Sequence, residues 1–497
     1  MNKPSNPPPP EGRPENVVAA TLLYALVAVV AVRLLTLAFY PILDKTEARY
    51  AEIALHMAAS GDWITPFIEP GVPFWAKPPL SIWASALSYV VFGINEFAAR
   101  LPSFVAYALG IALTYRVGAD ARDRLFGISS ALALASMALA FYLGGTVMTD
   151  PALAVAVTLI MVAFWKAMAG SGRAWGYLFF VGCAVALLAK GPVGVVLPAL
   201  SIGAWVAWQK KWKETWRNLP WLAGTALTLV LALPWYIAAE RATPGFLEYF
   251  IFGEHFARYL VPGWKGDLYG MGRAFPVGTI WLFALGATLP WSLVYLRALL
   301  VKAERVAVFP PLVRDPWLAY LVCWTLAPLL FFTFARNILI TYVATSLPAF
   351  ALLAAHALRS IGQDRDYRVP ALAAIAPAVA LVLVAAIEFA PDNPRLPTQR
   401  GIVAAYERLK PSSRYELVYL FEKPYSADFY SRLRARIART PEEARRLIEN
   451  PGNEAYFVAP DQALTRLPQD LRDRLEVAAS GQKSLLLHRK SGDERGQ

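Results

Sequence analysis

The sequence predicts a polytopic α-helical membrane protein with about eleven spans, interfacial helices on its outer face, and a small C-terminal α/β domain. Three observations carry that prediction. Hydrophobic residues make up 57% of the 497 positions and charged residues only 17%, against about 25% charged in an average soluble domain. Apolar runs near the ~20 residues needed to cross a bilayer recur between residues 17 and 390. Beyond that point the composition turns abruptly charged. A mean hydropathy of +0.41 agrees. An ordinary soluble enzyme, a disordered chain and a nucleic-acid-binding module are excluded. The formal charge of +12 would suggest nucleic acid in a soluble chain, but in a membrane protein it marks basic cytoplasmic loops. Cys183 and Cys323 lie inside apolar runs, so no disulfide framework is indicated.

Residues 1–16 are Pro-rich and polar and read as a disordered cytoplasmic tail, without the apolar core and cleavage site of a signal peptide. A transmembrane domain follows over 17–390. Its candidate spans lie at about 17–40, 98–117, 126–143, 151–169, 176–190, 191–208, 220–239, 273–297, 316–334, 338–358 and 369–390. The run at 80–93 is shorter and follows Pro78-Pro79. Leaving it out puts the basic loops with Arg116, Arg122, Arg124, Arg173, Lys210, Lys211, Lys213, Arg217, Arg297, Lys302, Arg305, Arg314, Arg359, Arg365 and Arg368 on the side of Lys3 and Arg13. The positive-inside rule favours that arrangement. The N-terminus is then cytoplasmic, and 80–93 belongs to a first outer loop over 41–97.

The same topology leaves 144–150, 240–272, a turn at Arg336 and the domain 391–497 outside. In that domain, runs at 416–422, 454–459 and 484–488 read as strands. A helix start is marked by Thr440 as N-cap, Pro441 at its first position and Glu443 at its third.

Polar groups gather at the outer ends of the spans, where their cost calls for a reason. Over 47–59, Tyr50, Ile53, Ala54 and Met57 form one helical stripe while Arg49, Glu52 and His56 share the other face. An amphipathic helix lying on the outer leaflet is expected. Asp44 and Glu47 at its start fit a capping box; they equally fit carboxylates held at a catalytic cavity, one capping while the other works. Asp150, before Pro151, is an ordinary helix start or a cavity-lining acid. Lys77, Lys190, Arg258 and Arg336 are isolated outer cations, either snorkelling or gripping a shared anion such as a lipid-linked phosphate. Tyr342 adds a hydroxyl near Arg336.

His56, His255, His356 and His488 are dispersed and show no metal spacing. No metal site and no cofactor is expected. Neither a G-x-G-x-x-G turn nor a phosphate-binding Gly-Lys-Ser/Thr loop is present. A transporter or flippase of a lipid-linked sugar is the alternative reading. It calls for ionisable residues at mid-bilayer and matched broken helices; Arg33 is the main candidate for an ionisable residue inside a span, and no matched interruptions are visible.

The stretches TEARYAEIA, SGDWITP, AKPPL and FGINEFAARLPS, followed by TDP, AKG, GEHFARY, LPW and a late Thr-Tyr pair, resemble the bacterial lipid-to-lipid glycosyltransferases of the C-type membrane superfold. That family includes the lipid A aminoarabinose transferases and, more distantly, the protein O-mannosyltransferases. The likeness runs over roughly 40–350. It implies a polyprenyl-phosphate-sugar donor, a glycolipid or glycan acceptor such as lipid A, inversion at the anomeric carbon, and surrounding membrane lipids as the medium. It places donor-phosphate ligands on Lys77, Arg258 and Tyr342, with Lys190 and Arg336 as further candidates, and carboxylates on Glu47 and Asp150. Three departures stand near the expected sugar site. Thr46 replaces the first acid of an Asp-Glu pair, so that Asp44 could substitute for it. Ala76 replaces the Glu before the lysine, and Ile338 to Tyr342 replaces a Lys-Leu-Pro-Thr-Tyr pattern.

Overall fold

The computed structural model describes residues 15–266, 268–269, 274–362, 366, 368–388, 396–412, 414–450, 454–460, 463–481 and 484–490. The tail before residue 15, the junction near 390 and Arg365 fall outside these. From the N-terminus run α1 (Glu15–Thr36), α2 (Thr46–Ser60), α3 (Leu80–Phe92), α4 (Glu96–Ala121), α5 (Arg124–Ser136), α6 (Ala138–Leu143), α7 (Asp150–Met168), α8 (Arg173–Lys190), α9 (Val193–Gln209), α10 (Trp212–Asn218) and α11 (Trp221–Ala242). Seven helical stretches among the described residues are long and apolar enough to cross a membrane: α1, α4, α7, α8, α11, Pro316–Thr333 and Ile340–Ser360. Helices α3, α5 and α9 are apolar but shorter. At 13 residues, α3 spans only ~20 Å against a hydrocarbon core of ~30 Å.

Two of the expected spans are interrupted. The run 126–143 breaks at Met137, whose ψ of 134° ends α5 before α6 begins. The run 273–297 divides into Thr279–Ala287 and Ser292–Leu300, bent by 109°, around Pro290, which lacks a backbone N–H. The two breaks answer each other. Ala138 N donates to Leu289 O at 2.9 Å, and Trp291 Nε1 donates to Ser136 Oγ at 2.9 Å. Backbone groups freed inside a membrane need such partners. Sequence alone hid both interruptions because apolar residues continue through them.

One end of the bundle is closed by ion pairs between basic loops and acids: Arg122 with Asp315, Arg359 with Asp123 at 2.5 Å, and Lys166 with Asp120 at 2.5 Å. The opposite end carries α2, a short hairpin of β1 (Phe67–Glu69) and β2 (Val72–Pro73), and the segment after α11. The helix α2 departs from expectation. Its polar face is not solvated: Glu47 and Glu52 are buried with Tyr50, Ile53 and Met57. Apolar residues of α3 cover one side, and the helix Tyr425–Ser431 covers the other.

That helix belongs to the C-terminal sheet, whose remaining strands are β3 (Glu416–Leu420), β4 (Ala435–Ala438), β5 (Ala455–Pro460), β6 (Leu475–Ser480) and β7 (Ser484–Arg489). The order is β4-β3-β5-β7-β6, with β3 parallel to β4 and β5, and β7 antiparallel to β5 and β6. Successive side chains of a strand face opposite ways. Val418, Leu420, Phe457 and Leu487 accordingly join one apolar cluster, while Leu417, Tyr419, Tyr456 and Leu486 join the other. The three expected strands appear as β3, β5 and β7. Short β4 and exposed β6 gave no alternation to read. Thr440 caps the helix Pro441–Glu449 by accepting from Glu443 N at 3.2 Å, and Glu443 reaches back to Arg439 N.

Candidate functional site

The site is assembled at the end of the bundle away from the basic loops. Lys77 follows β2 on a loop pinned by Tyr269, whose hydroxyl donates to Pro73 O at 2.7 Å and accepts from Trp75 N at 3.0 Å. Lys77 Nζ donates to Glu254 Oε2 at 2.6 Å. Arg258 Nη1 lies 3.1 and 3.2 Å from the two oxygens of the same carboxylate. Two cations predicted from separate segments therefore meet, and the acid between them was missed. Its signal was available as Glu254 and Arg258 at helical i, i+4 spacing. Burial alone would raise the Glu254 pKa, but Lys77 and Arg258 outweigh it and hold the carboxyl below its usual range.

Asn337, also missed, fixes the backbone that presents Arg258. Its Nδ2 donates to Arg258 O at 2.6 Å and to Val261 O at 2.9 Å. Neighbouring Arg336 is exposed and touches this region through its backbone, donating N–H to Tyr259 O at 2.9 Å.

A second group stands beside the first. Lys190 Nζ, ending α8, donates to Asp150 Oδ1 at 2.6 Å, where α7 starts. Lys190 also sits 5.1 Å from the ring centroid of Tyr342, which packs on Phe332. His255 joins the two groups. Its Nδ1 hydrogen-bonds Phe250 O at 2.8 Å, and it also meets the backbone of Lys190. Burial, chiefly, and the nearby Lys77 charge lower its pKa and favour the neutral ring. Gly191 permits this contact. Its φ is +82°, and a Cβ there would lie 2.4 Å from Phe250 Cζ.

A small apolar cleft lies between the helices, lined by Tyr107, Leu134, Ala140, Pro151, Val155 and Pro348 among others. Phe246 and Phe250, in the segment 240–272, are buried against Trp235 and Tyr236, whereas Phe252 and Phe256 face outward.

Asp44 and Glu47 are placed differently from a capping box. The N-cap position of α2 is Lys45, with no side-chain cap. The Asp44 carboxylate instead accepts from Ser426 N at 2.9 Å and from the Ser426 hydroxyl, at the start of the helix Tyr425–Ser431. Burial pushes its pKa up to about 6 against those hydrogen bonds. Glu47 accepts from Arg100 Nε at 2.8 Å and Nη2 at 3.0 Å, from Leu43 N at 3.2 Å and from Val147 N at 3.3 Å. Arg100 is fully buried and donates to the carbonyls of Leu37, Tyr40 and Pro41. This clamp ties the end of α1 to α4 and to the turn before Asp150.

Arg33 lies in the last turn of α1 and donates to Tyr40 Oη and Gly145 O, not to a mid-span partner. A Cβ on Gly145 would fall 1.4 Å from its guanidinium. Among the described residues three metal-ligating side chains converge in one place, Glu52, His56 and Asp428, outside the groups above.

The family model for dolichyl-phosphate-mannose-protein mannosyltransferases matches residues 17–250. The undecaprenyl phosphate-alpha-4-amino-4-deoxy-L-arabinose arabinosyl transferase of Enterobacter sp. (strain 638) is 31% identical over 357 residues, 68% of this chain and 59% of that one. Its counterpart in Pseudomonas paraeruginosa (strain DSM 24068 / PA7) is 34% identical over 323 residues, 63% of this chain and 55% of that one. This chain thus spans rather under three-fifths of the length of the curated relatives it matches. The crystal structure of ArnT from Cupriavidus metallidurans superposes with a TM-score of 0.76 in the apo state, covering 95% of this chain and 98% of that one at 20% identity. With undecaprenyl phosphate bound to that protein the TM-score is 0.74, covering 95% and 99% at 20% identity.

Helix order and the superposition define a multi-pass membrane protein with the fold of the ArnT structures. The relatives it resembles in sequence are named as undecaprenyl phosphate-alpha-4-amino-4-deoxy-L-arabinose arabinosyl transferases.

Proposed function

We propose that this chain transfers a glycosyl group from a polyprenyl-phosphate-linked donor to an acceptor at the periplasmic face of a bacterial inner membrane, with inversion at the anomeric carbon. Lipid A or another envelope glycan is the acceptor class. The observation that carries the reading is the meeting of Lys77 and Arg258 on one buried carboxylate. The prenyl tail lies among the spans and the phosphate takes the place of Glu254 between the two cations. Tyr342 and Lys190 lie next to it, and exposed Arg336 stays peripheral. The names of the curated relatives and the ArnT complex with undecaprenyl phosphate favour this donor class.

As the bond from the anomeric carbon to the phosphate oxygen breaks, its electron pair passes to the phosphate. Preorganised cations at that oxygen stabilise the transition state more than the ground state, which is what accelerates the step. Asp150, oriented by Lys190, steadies the positive charge developing on the sugar or takes the acceptor proton. Glu47 acts through Val147 on the turn that presents Asp150. Asp44 holds the C-terminal domain. One cationic donor of this kind is worth ~3–4 kcal/mol. Lys77→Ala is therefore expected to lower transfer from a lipid-linked sugar by about two to three orders of magnitude without unfolding the protein, since Arg258 still pairs with Glu254; near-normal turnover would contradict the assignment.

A further inference from the structure

Where α2 meets the helix Tyr425–Ser431, three side chains converge that the transfer site does not use. Glu52 and His56 stand one turn apart on α2, which puts them on one face. Asp428 comes from the opposing helix. One ligand atom from each lies within 4.8 Å of the other two. Glu52 and Asp428 are each 2% exposed.

Glu52 Oε2, His56 Nε2 and Asp428 Oδ1 are buried here without any partner from outside the cluster; at these atoms the Glu52 and Asp428 carboxyls have only each other. Burying such atoms without partners is costly. The charges around them do not resolve it. Lys423 Nζ is committed to the other oxygen of Asp428. Glu69 adds negative charge nearby and pairs with Arg439. His56 Nε2 stays 3.6 Å from Glu52 Oε1, too far for a hydrogen bond.

An imidazole nitrogen with two carboxylate oxygens is a donor set for a divalent transition metal, above all Zn²⁺. We propose that Glu52, His56 and Asp428 bind a divalent transition-metal ion that fastens the C-terminal domain to α2. Lys423 then holds Asp428 from behind, as outer partners of ligating carboxylates do. The site is structural: it fixes the helix whose first turn carries Glu47, and it takes no part in the transfer step. Sequence spacing could not show it, because Asp428 is remote from the Glu-x₃-His pair.

The test uses the full chain in detergent, stripped of metal and titrated with Co²⁺ as the visible probe. The expected result is d–d absorption saturating near one equivalent, displaced by Zn²⁺, and a melting temperature that Zn²⁺ raises. Glu52→Gln, nearly isosteric, is expected to lose the absorption and the Zn²⁺-dependent shift while remaining folded; retention of both in this variant would overturn the proposal. Absence of Co²⁺ absorption in the wild-type chain, with no melting response to Zn²⁺, would also overturn it and leave a proton shared between the carboxylates. Because wild type alone can fail the test, misfolding of the variant does not shelter the idea.

Discussion

Glu47 and Glu254 are two buried acids that each take up arginine, and they do opposite jobs. Glu47 receives two bonds from an Arg100 side chain that is 0% exposed and two more from backbone amides. Glu254 is held only by side chains, Lys77, Arg258 and Tyr249, and the two cations keep 16% and 22% exposure. A carboxylate saturated by backbone and a sealed guanidinium is part of the frame. One gripped by flexible, partly solvated cations can hand them to an anionic ligand.

The largest effect that could break this contrast belongs to Arg100. Removing one partner of a buried ion pair costs ~3–5 kcal/mol because the other charge is left uncompensated. Arg100→Ala is expected to lower the melting temperature sharply or abolish folded protein in detergent extracts; a stable, normally melting variant would show that Glu47 is not a keystone. A smaller effect sharpens the other side. Glu254→Gln keeps the shape but releases Lys77 and Arg258 from a charged partner. The expected outcome is a donor KM changed by roughly tenfold, worth ~1.4 kcal/mol, with the melting temperature nearly unchanged.

The smallest effect concerns Asp44. Its folded pKa of about 6 lies above the ordinary value of 3.8, so the folded chain holds the proton more tightly than the unfolded chain. That contribution to stability is complete below pH 3.8 and is lost as pH rises through about 6. Thermal melts across this window should show wild type losing stability relative to Asp44→Asn, and parallel curves would contradict the assignment.

How much of this was legible in the sequence depends on how far apart the partners lie. Membrane class and three strands follow from local hydropathy and period-two patterning. The cations Lys77, Lys190 and Arg258 were legible because charge at the outer ends of spans is expensive. Partnerships were not. Glu254 lies 177 positions from Lys77, and its i, i+4 spacing to Arg258 does not point to that second partner. Asp44 and Glu47 stand at the right spacing for a capping box, yet tertiary partners, Ser426 and Arg100, outbid that local geometry. The polar face of α2 looked solvated for the same reason, since its cover comes from the far end of the chain.

The central claim is that Lys77 and Arg258 together bind the donor's phosphate. Its most direct measure is the affinity of the purified chain for a polyprenyl phosphate, compared among wild type, Lys77→Ala and Arg258→Ala. Charge-assisted contacts are worth about 1.5–3 kcal/mol each, so each variant should bind roughly ten- to a hundredfold more weakly. Equal affinities across the three proteins would contradict the account.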